Sequence, residues 1–252
     1  MNRTITFANQ KGGVGKSTTT LNIGAALAER GKRVLLVDVD PQGSLTIAIG
    51  VNPLELRGTL YDVLINPEAP LGAVLIHAKP NIDLVPATLD LAGAEIELLN
   101  EISREHVLAG KLKAVHDHYD FVLLDCGPSL ALLTINALTA ADQVLIPCEC
   151  TYLAFRGMQL LMKTIRKVQE RANPKLRVAG ILPTKYDTRK THAREVVDEM
   201  RATYGDLVID PPIRDRVTLA DATIGGKTIL EFDGRSDSAN EYRAVAEVIL
   251  NG

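Results

Sequence analysis

Short apolar runs recur along the chain, and segments with apolar residues at helical spacing separate them. The runs lie at residues 3–9, 33–38, 82–85, 121–125, 144–147 and 178–182. Because nearly every position in them is apolar, they predict strands that are covered on both faces. Helical spacing is found at residues 17–30, 92–116, 130–140, 154–172, 190–203 and 237–250. Strands that alternate with helices in this way predict an α/β fold with a doubly wound, mostly parallel sheet.

The segment 47–80 is the least regular part of the chain. It contains Pro53, Pro67, Pro70 and Pro80, and proline interrupts helices and the interiors of sheets. We predict helical turns and loops there, over one edge of the sheet. The 252-residue sequence has no internal repeat, low-complexity tract or linker, so we expect a single domain over residues 1–252.

The segment between the first strand and the first helix is rich in glycine and lysine. Such a loop turns backbone N–H groups toward phosphate oxygens, places a lysine near the β- and γ-phosphates and offers a hydroxyl to Mg²⁺. The N-terminus of the next helix adds partial positive charge. We therefore predict a nucleotide-phosphate site, with Lys16 near the phosphates and Ser17 on the metal. Its residues are Lys11, Gly12, Gly13, Val14, Gly15, Lys16, Ser17 and Thr18.

Two other predicted strands end in aspartates. Asp38 and Asp40 follow the second strand, and Asp125 ends the hydrophobic run 121–125. Ligands of parallel sheets bind at the carboxyl ends of strands, so we expect these carboxylates beside the glycine-rich loop. A strand that ends in Asp is typical of the second nucleotide-binding motif, and Asp125 is predicted to hold Mg²⁺ directly or through water. An ordinary turn-forming role is the alternative for Asp38 and Asp40.

The loop departs from the common phosphate-loop pattern in two places. Gln10 stands where that pattern has glycine, and Lys11 adds a second lysine. Lys-Gly-Gly-x-Gly-Lys-Ser/Thr resembles the signature of the ParA/MinD family of ATPases, and the chain is similar to its short Soj-like ParA members from end to end. The resemblance implies a P-loop ATPase that uses ATP and Mg²⁺ and forms an ATP-dependent homodimer.

The same resemblance assigns roles to individual residues. Lys11 is expected to act across the dimer interface on the partner's nucleotide, and Lys16 on the nucleotide of its own chain. Asp40 matches the position that orients the attacking water, so Lys11, Lys16 and Asp40 are the expected catalytic residues. Asp38 is expected to be an indirect Mg²⁺ ligand or a support for the switch segment that follows it.

Two further segments are expected to meet the adenine. The family reads the base at the end of a late strand and in the loop after the next strand, which are residues 183–187 and 210–213 here. Pro212 is the candidate contact. The second switch resembles the family at Asp125-Cys126-Gly127-Pro128-Ser129, although the family more often has proline than Gly127.

Charge is distributed unevenly. The formal net charge is −3, yet residues 156–216 hold 14 Lys and Arg against 8 Asp and Glu. By itself such an excess is more typical of solvated helix faces than of a nucleic-acid surface. Few aromatic residues interleave with it, so any nucleic-acid contact would be made to phosphates rather than by base stacking.

The DNA-binding members of the resembled family are similar to this chain at residues 186–189. Arg189 matches an arginine that contacts phosphates without sequence preference, and Lys190 extends the patch. A second family arginine is replaced here by Thr218, and either Arg214 or Arg216 is expected to substitute for it. These residues predict double-stranded DNA as a non-specific partner.

No segment approaches the 18 or so unbroken apolar residues of a membrane span. No Lys or Arg follows Arg243, so a basic membrane-binding helix at the C-terminus is not expected. We expect a cytoplasmic, nucleoid-associated protein without a membrane partner. Since the loop begins at residue 11, no operator-binding region is expected before it. Cys126, Cys148 and Cys150 are interpreted as reduced core thiols rather than zinc ligands.

The expected function is therefore that of a partition ATPase. Hydrolysis would be slow, and a ParB-like partner would stimulate it while the ATPase positions or segregates a chromosome or plasmid. Two alternatives stay open. The same ATPase would position a non-DNA cargo, such as a microcompartment or a chemoreceptor cluster, or the chain would be a metabolic P-loop ligase or synthase that phosphorylates a small carboxylate.

Overall fold

A computed structural model describes residues 2–252, in which seven strands form one sheet. Their order across the sheet is β3-β4-β2-β5-β1-β6-β7. All neighbouring strands pair in parallel except β3, which pairs antiparallel with β4. The predicted doubly wound, mostly parallel sheet is thus confirmed. The strands are β1 (Arg3–Phe7), β2 (Val34–Val39), β3 (Ile76–Lys79), β4 (Ile82–Val85), β5 (Phe121–Cys126), β6 (Gln143–Glu149) and β7 (Arg177–Thr184).

Helices cover both faces of this sheet, and most of the predicted helical segments are confirmed. Short 3₁₀ turns link several of them. The α-helices are α1 (Lys16–Glu29), α2 (Ser44–Ala48), α3 (Leu60–Ile65), α4 (Leu91–Glu97), α5 (Val107–Lys113), α6 (Leu132–Ala140), α7 (Tyr152–Arg171), α8 (Thr191–Tyr204), α9 (Val217–Ile224), α10 (Ile229–Asp233) and α11 (Asp237–Asn251).

The core lies on the two faces of the central strands. Every residue of β2 and β5 is buried, and alternate residues enter opposite clusters because successive side chains of a strand point to opposite faces. Leu35 and Leu124 pack in the cluster that includes α6 and α7. Leu36 and Leu123 pack in the cluster that includes α1 and α11. Burial on both faces explains why these strands are continuous apolar runs.

The prediction of one helix over residues 92–116 was wrong. The segment contains α4 and α5, and Ser103 between them has a φ of +56°, a left-handed conformation that a helix does not continue through. Ile96, Leu99 and Ile102 are exposed rather than buried. Their helical spacing led to the prediction of one helix, but these side chains do not pack into the core.

The irregular segment 47–80 contains more regular structure than we predicted. The helix α3 begins with a capping box in which Thr59 and Asp62 bond to each other's backbone N–H groups. The antiparallel strand β3 then lies at the edge of the sheet, with a shift of register between His77 and Lys79. At the opposite edge, the Ile209 N–H donates to the Ile181 carbonyl of β7 over 2.8 Å.

The helices α9 and α10 were not predicted either. Thr228 and Glu231 form a capping box at the start of α10, and the Thr-x-x-Glu pattern is a signal that sequence reading can detect. Among residues 2–252, no helix is both long enough and apolar enough to cross a bilayer.

Candidate nucleotide site

The glycine-rich loop joins β1 to α1 and folds as a phosphate cradle. Gly13 and Gly15 have φ values of +72° and +85°, which glycine adopts without strain. Gly15 immediately precedes α1, so the free N–H groups of the first helical turn face the loop. Lys16 is buried, and its Nζ donates to the Lys11 carbonyl oxygen over 3.3 Å. Burial lowers the pKa of Lys16, and the Asp125 carboxylate opposes that shift.

Side chains from neighbouring strands fix the position of the loop. The Thr184 hydroxyl, at the end of β7, donates to the Val14 carbonyl over 2.8 Å. The Asn9 amide donates to the Pro147 carbonyl of β6 over 2.7 Å, and its oxygen accepts the Lys11 N–H over 3.0 Å. The loop is therefore tied to two strands besides the one it follows.

The predicted carboxylates come together beside this loop. Asp125 is in register with Phe7 of β1 on one side and with Asp38 of β2 on the other. Its Oδ1 accepts the Thr20 hydroxyl over 3.3 Å, whereas its buried Oδ2 has no hydrogen-bond partner among the residues described. Burial and the Asp38 carboxylate raise the pKa of Asp125, and the Ser17 hydroxyl and Lys16 oppose the rise.

A buried carboxylate oxygen without a partner calls for a ligand or a water molecule. The Asp125 oxygen lies in the same site as Ser17 and Lys16, and oxygen ligands of this kind suit Mg²⁺. The residues present therefore fit a magnesium ion held by Ser17 and, directly or through water, by Asp125.

The carboxylate of Asp38 accepts hydrogen bonds from the switch segment that follows it. Its Oδ2 accepts both the N–H and the hydroxyl of Thr46 at 2.8 Å, and its Oδ1 accepts the Asp40 N–H at 3.2 Å. Burial raises its pKa to about 7, against these hydrogen bonds. Of the two roles expected for Asp38, these hydrogen bonds favour support of the switch segment over indirect binding of Mg²⁺, and both roles stay predictions.

Asp40 lies where the two switch segments meet. It is nearly buried, and its Oδ1 accepts the Gln42 N–H over 3.0 Å. A Cβ placed on Gly127 would lie 3.0 Å from the same Oδ1, closer than most real Cβ contacts. The glycine that replaces the family's usual proline therefore allows the second switch to approach Asp40 closely.

An open pocket of about 420 Å³ adjoins the loop on the side of β7 and α9. Both segments expected to meet the adenine contribute to it, through Thr184, Lys185 and Ile213. Pro212, our specific candidate, is outside the lining, and its neighbour Ile213 takes that place. Sequence reasoning missed the wall formed by α9 and by Tyr242, since nothing in those residue types signals a nucleotide. The missed residues are Leu219, Ala220, Thr223, Ile224 and Tyr242.

The ammonium groups of Lys11 and Lys16 have different partners. Lys11 Nζ lies 2.5 Å from Glu149 Oε2 at the end of β6 and 3.3 Å from the Thr151 hydroxyl before α7. The two lysines of the loop are thus engaged separately, Lys16 by the loop backbone and Lys11 by β6 and its connection to α7.

The arginines predicted to contact DNA differ in side-chain exposure and in the strength of the ion pairs they already make. The side chain of Arg189 is 88% exposed and makes two bonds to Asp187, of 2.9 and 3.0 Å. Arg216 is 23% exposed and binds Glu241, Asp237 and Ser238, so α11 already uses it. Arg214 is 49% exposed, and its carboxylate partners lie at 3.7 Å. Of the two expected substitutes, the geometry favours Arg214 for contact with a phosphate.

A second set of cations lies on the outward face of α7. These residues are exposed, and no ion pair with them is found in the part of the chain that the structure describes. Glu170 is the one acidic residue of that helix. Five of the 14 cations of residues 156–216 therefore lie on α7, apart from Arg189 and Lys190 before α8. The α7 cations are Arg156, Lys163, Arg166, Lys167 and Arg171.

Comparison with known proteins identifies the family. An AAA domain family, AAA_31, matches residues 2–178. The sporulation initiation inhibitor protein Soj of Bacillus subtilis is 44% identical over 253 residues, which cover 100% of both chains. The chain belongs to the ParA/MinD family of P-loop ATPases. The chromosome partitioning protein ParA of Caulobacter vibrioides is a further relative, 40% identical over 99% of this chain and 94% of its own.

Solved structures of similar proteins include nucleotide complexes. A cobyrinic acid a,c-diamide synthase from Mycobacterium smegmatis with bound ADP and magnesium has a TM-score of 0.88 and 41% identity. The match covers 100% of this chain and 95% of that one. An ATP complex of Cyanothece McdA(D38A) has a TM-score of 0.89 at 23% identity, and it supports the fold alone.

Membership of this family makes the protein a P-loop ATPase. The predictions of family, fold class and ATPase activity are confirmed. The roles assigned to individual residues stay predictions, and so does the arrangement as a single domain.

Proposed function

We propose that this protein is a nucleotide-dependent partition switch. Mg²⁺ATP closes two copies into a sandwich dimer, the dimer binds double-stranded DNA without sequence preference, and hydrolysis returns it to monomers. In this cycle the protein alternates between cytoplasm and nucleoid while it segregates a chromosome or plasmid. Similarity over nearly the whole chain to Soj and to the chromosome partitioning protein ParA supports the proposal.

The separate placement of the two loop lysines is the observation that supports it best. Lys16 occupies the cradle of its own chain, whereas the Lys11 ammonium lies on β6 and the connection to α7. A lysine whose ammonium group is bonded to a neighbouring strand rather than to the loop is available to a nucleotide in a second copy. Positive charge from a partner is a known means of stabilising the transition state of phosphoryl transfer.

Catalysis then depends on groups from two chains. Magnesium held at Ser17 and Asp125 supplies positive charge to the phosphate oxygens when bound. Lys16 neutralises the phosphates, Asp40 orients the attacking water, and the partner's Lys11 completes the charge on the γ-phosphate. A lone chain lacks the last group, so we expect basal turnover to be slow. A ParB-like partner would accelerate it by ordering Lys11 and the two switches.

The proposed DNA surface lies at the start of α8, with Arg189 and Lys190, and continues to Arg214. One such patch offers few phosphate contacts, because Asp187 partly neutralises it. Two copies of the patch in a dimer double the number of contacts, and affinity for DNA rises steeply with that number. ATP thereby controls DNA binding through dimerisation.

DNA binding by the purified protein tests this proposal. Non-specific duplex would be titrated with Mg²⁺ATP, with Mg²⁺ADP and without nucleotide, at two salt concentrations. We expect binding with ATP alone and a marked loss at higher salt. Arg189→Ala should weaken binding, whereas Arg235→Ala, at an exposed arginine outside the basic segment, should not. Equal binding in all three nucleotide states, or none in any, would contradict the proposal.

A small-molecule synthase is the second candidate, because the Mycobacterium smegmatis structure bears the name of an amide-forming enzyme. One way of releasing ammonia from an amide donor uses an activated cysteine thiolate. All three cysteines are buried, and burial raises the pKa of Cys148 and of Cys150 to about 12. ATP turnover that depends on a small carboxylate and is indifferent to DNA would favour the synthase.

A further inference from the structure

A carboxylate of the neighbouring strand holds the second lysine of the loop. Glu149 Oε2 lies 2.5 Å from Lys11 Nζ, and the Thr151 hydroxyl adds a third group at 3.3 Å. Both charged side chains are partly shielded from water. Shielding strengthens an ion pair relative to one on the open surface, provided that both charges keep their partners.

The backbone around this pair is fixed by the fold. Lys11 follows Asn9, which bonds to the Pro147 carbonyl and to the Lys11 N–H. Glu149 ends β6, and its carbonyl accepts the Thr151 N–H over 2.7 Å. The sheet and the loop together therefore set the separation of the two backbone positions from which these side chains extend.

We propose that Glu149 is a positioning residue that retains Lys11 in the monomer and must release it before the lysine reaches the nucleotide of a second copy. This inference rests on the proposed function, in which Lys11 acts across the dimer interface. Glu149 and Thr151 already accept two of the three N–H donors of this ammonium group, so bonding it fully to phosphates in another chain requires these contacts to be given up. Dimerisation therefore requires the pair to open in both chains.

The proposal explains how the nucleotide decides whether the pair opens. A single carboxylate competes with the charge of the partner's phosphates for Lys11. The triphosphate of ATP carries more negative charge than the diphosphate of ADP and places a phosphate farther along the cradle. ATP therefore displaces Glu149 more readily than ADP does, and the glutamate sharpens the difference between the two nucleotides.

Removal of the negative charge should make dimers easier to form. In Glu149→Gln the lysine is no longer held by charge, and two such contacts are lost for each dimer. We expect the dissociation constant of the dimer with Mg²⁺ and AMPPNP to fall about 5- to 30-fold, which is about 1 to 2 kcal/mol. Under the proposed function the wild type does not dimerise with Mg²⁺ADP, and such dimers should become detectable in Glu149→Gln.

Sedimentation equilibrium of the full chain measures this effect. Glu170→Gln is the matched control, since it makes the same charge change at an exposed position on α7, and we expect no change in dimerisation. The decisive comparison repeats Glu149→Gln in a Lys11→Met background. There the gain should vanish, because the two substitutions are coupled if the glutamate acts through the lysine.

Amine labelling of the nucleotide-free monomer gives an independent readout. An acylating reagent should modify Lys11 several-fold faster in Glu149→Gln than in the wild type, while labelling of Lys163 stays constant. An unchanged rate would contradict the contact itself. A wild type that dimerises normally while Glu149→Gln gains nothing, or gains equally in the Lys11→Met background, would overturn the inference. A wild type that does not dimerise with ATP would instead contradict the proposed function.

Discussion

The phosphate-loop edge and the basic segment 156–216 are both rich in cations, but they are built differently. At the loop edge, Lys16 and Asp38 are buried and bonded to backbone, Lys16 to the Lys11 carbonyl and Asp38 to the Thr46 N–H, whereas the partly exposed Lys11 is paired with the Glu149 side chain. In the basic segment the cations other than Arg216 are exposed, and Arg189 is bonded to the side chain of Asp187. Backbone contacts fix a geometry, whereas pairs of exposed side chains can exchange their partners for a ligand.

This difference implies two responses to substitution. A change at the loop edge should have a large effect, because each group has one position and several neighbours depend on it. A change in the basic segment should have a graded effect, because phosphate contacts add up and neighbouring cations compensate for one another.

The largest expected effect is at Lys16. Lys16→Ala removes the buried charge of the cradle, and we expect kcat for ATP hydrolysis to fall about 100- to 1000-fold, as for the loss of one preorganised charge-stabilising donor. Steady-state ATPase assays with saturating ATP measure it. Lys163→Ala on α7 makes the same change on the basic surface and should leave the rate within about twofold. Similar losses in both variants would remove the distinction between the two regions.

Gly127 offers a second test at the loop edge. A Cβ there would lie 3.0 Å from Asp40 Oδ1, so Gly127→Ala must displace the carboxylate by a few tenths of an ångström. Since small misplacements of reacting groups are costly, we expect kcat to fall about 10-fold with little change in nucleotide affinity. Gly157→Ala is the control, because a Cβ there meets nothing within 4 Å, and it should not slow hydrolysis.

Arg216 and Arg189 sharpen the comparison, since they differ in burial but were predicted as one surface. Arg216→Ala leaves the nearly buried Glu241 without its main partner, and we expect the free energy of unfolding to fall by about 1 to 3 kcal/mol. Arg189→Ala should leave stability unchanged and weaken DNA binding. Urea unfolding and DNA titration on both variants give the two readouts. An unstable Arg189→Ala or a fully stable Arg216→Ala would contradict the assignment.

The smallest effect is expected at Asp187. Hydrogen bonds from Arg189 hold the pKa of this carboxyl well below its usual range, so the pair persists at any pH above strongly acidic conditions. Asp187→Asn frees Arg189 for phosphate contact, and we expect affinity for DNA with Mg²⁺ATP to rise about two- to threefold with a steeper salt dependence. Weaker binding in this variant would mean that Asp187 orients Arg189 rather than competing with DNA for it.

The sequence predicted the loop edge well because its signals are local. Glycine at positive φ, a strand that ends in aspartate and a lysine at the start of a helix each constrain the backbone within a few residues. Gly13, Gly15, Asp125 and Asp38 accordingly lie together at the carboxyl ends of adjacent strands. The continuous apolar runs predicted the parallel sheet for the same reason. A strand that is buried on both faces has apolar residues at nearly every position.

The remainder depends on contacts between distant residues, which leave no trace in a local pattern. Arg214 and Arg216 are equivalent in sequence, and the neighbouring helix α11 distinguishes them through Glu241. One wall of the pocket beside the loop comes from α9, about 200 residues after the loop. The edge strand β3 was not predicted, because four residues between prolines are too few to show a strand pattern.

That edge strand limits how the protein can assemble. An open edge of a sheet offers unpaired backbone groups to another chain, and proteins that remain apart shorten, bend or cover such edges. Here β3 is short and irregular in register, and at the other side the segment around Ile209 bonds to β7. Growth of a filament by strand addition is therefore disfavoured at both ends of the sheet. We therefore expect any larger assembly of this protein to form through side-chain surfaces rather than through strand pairing.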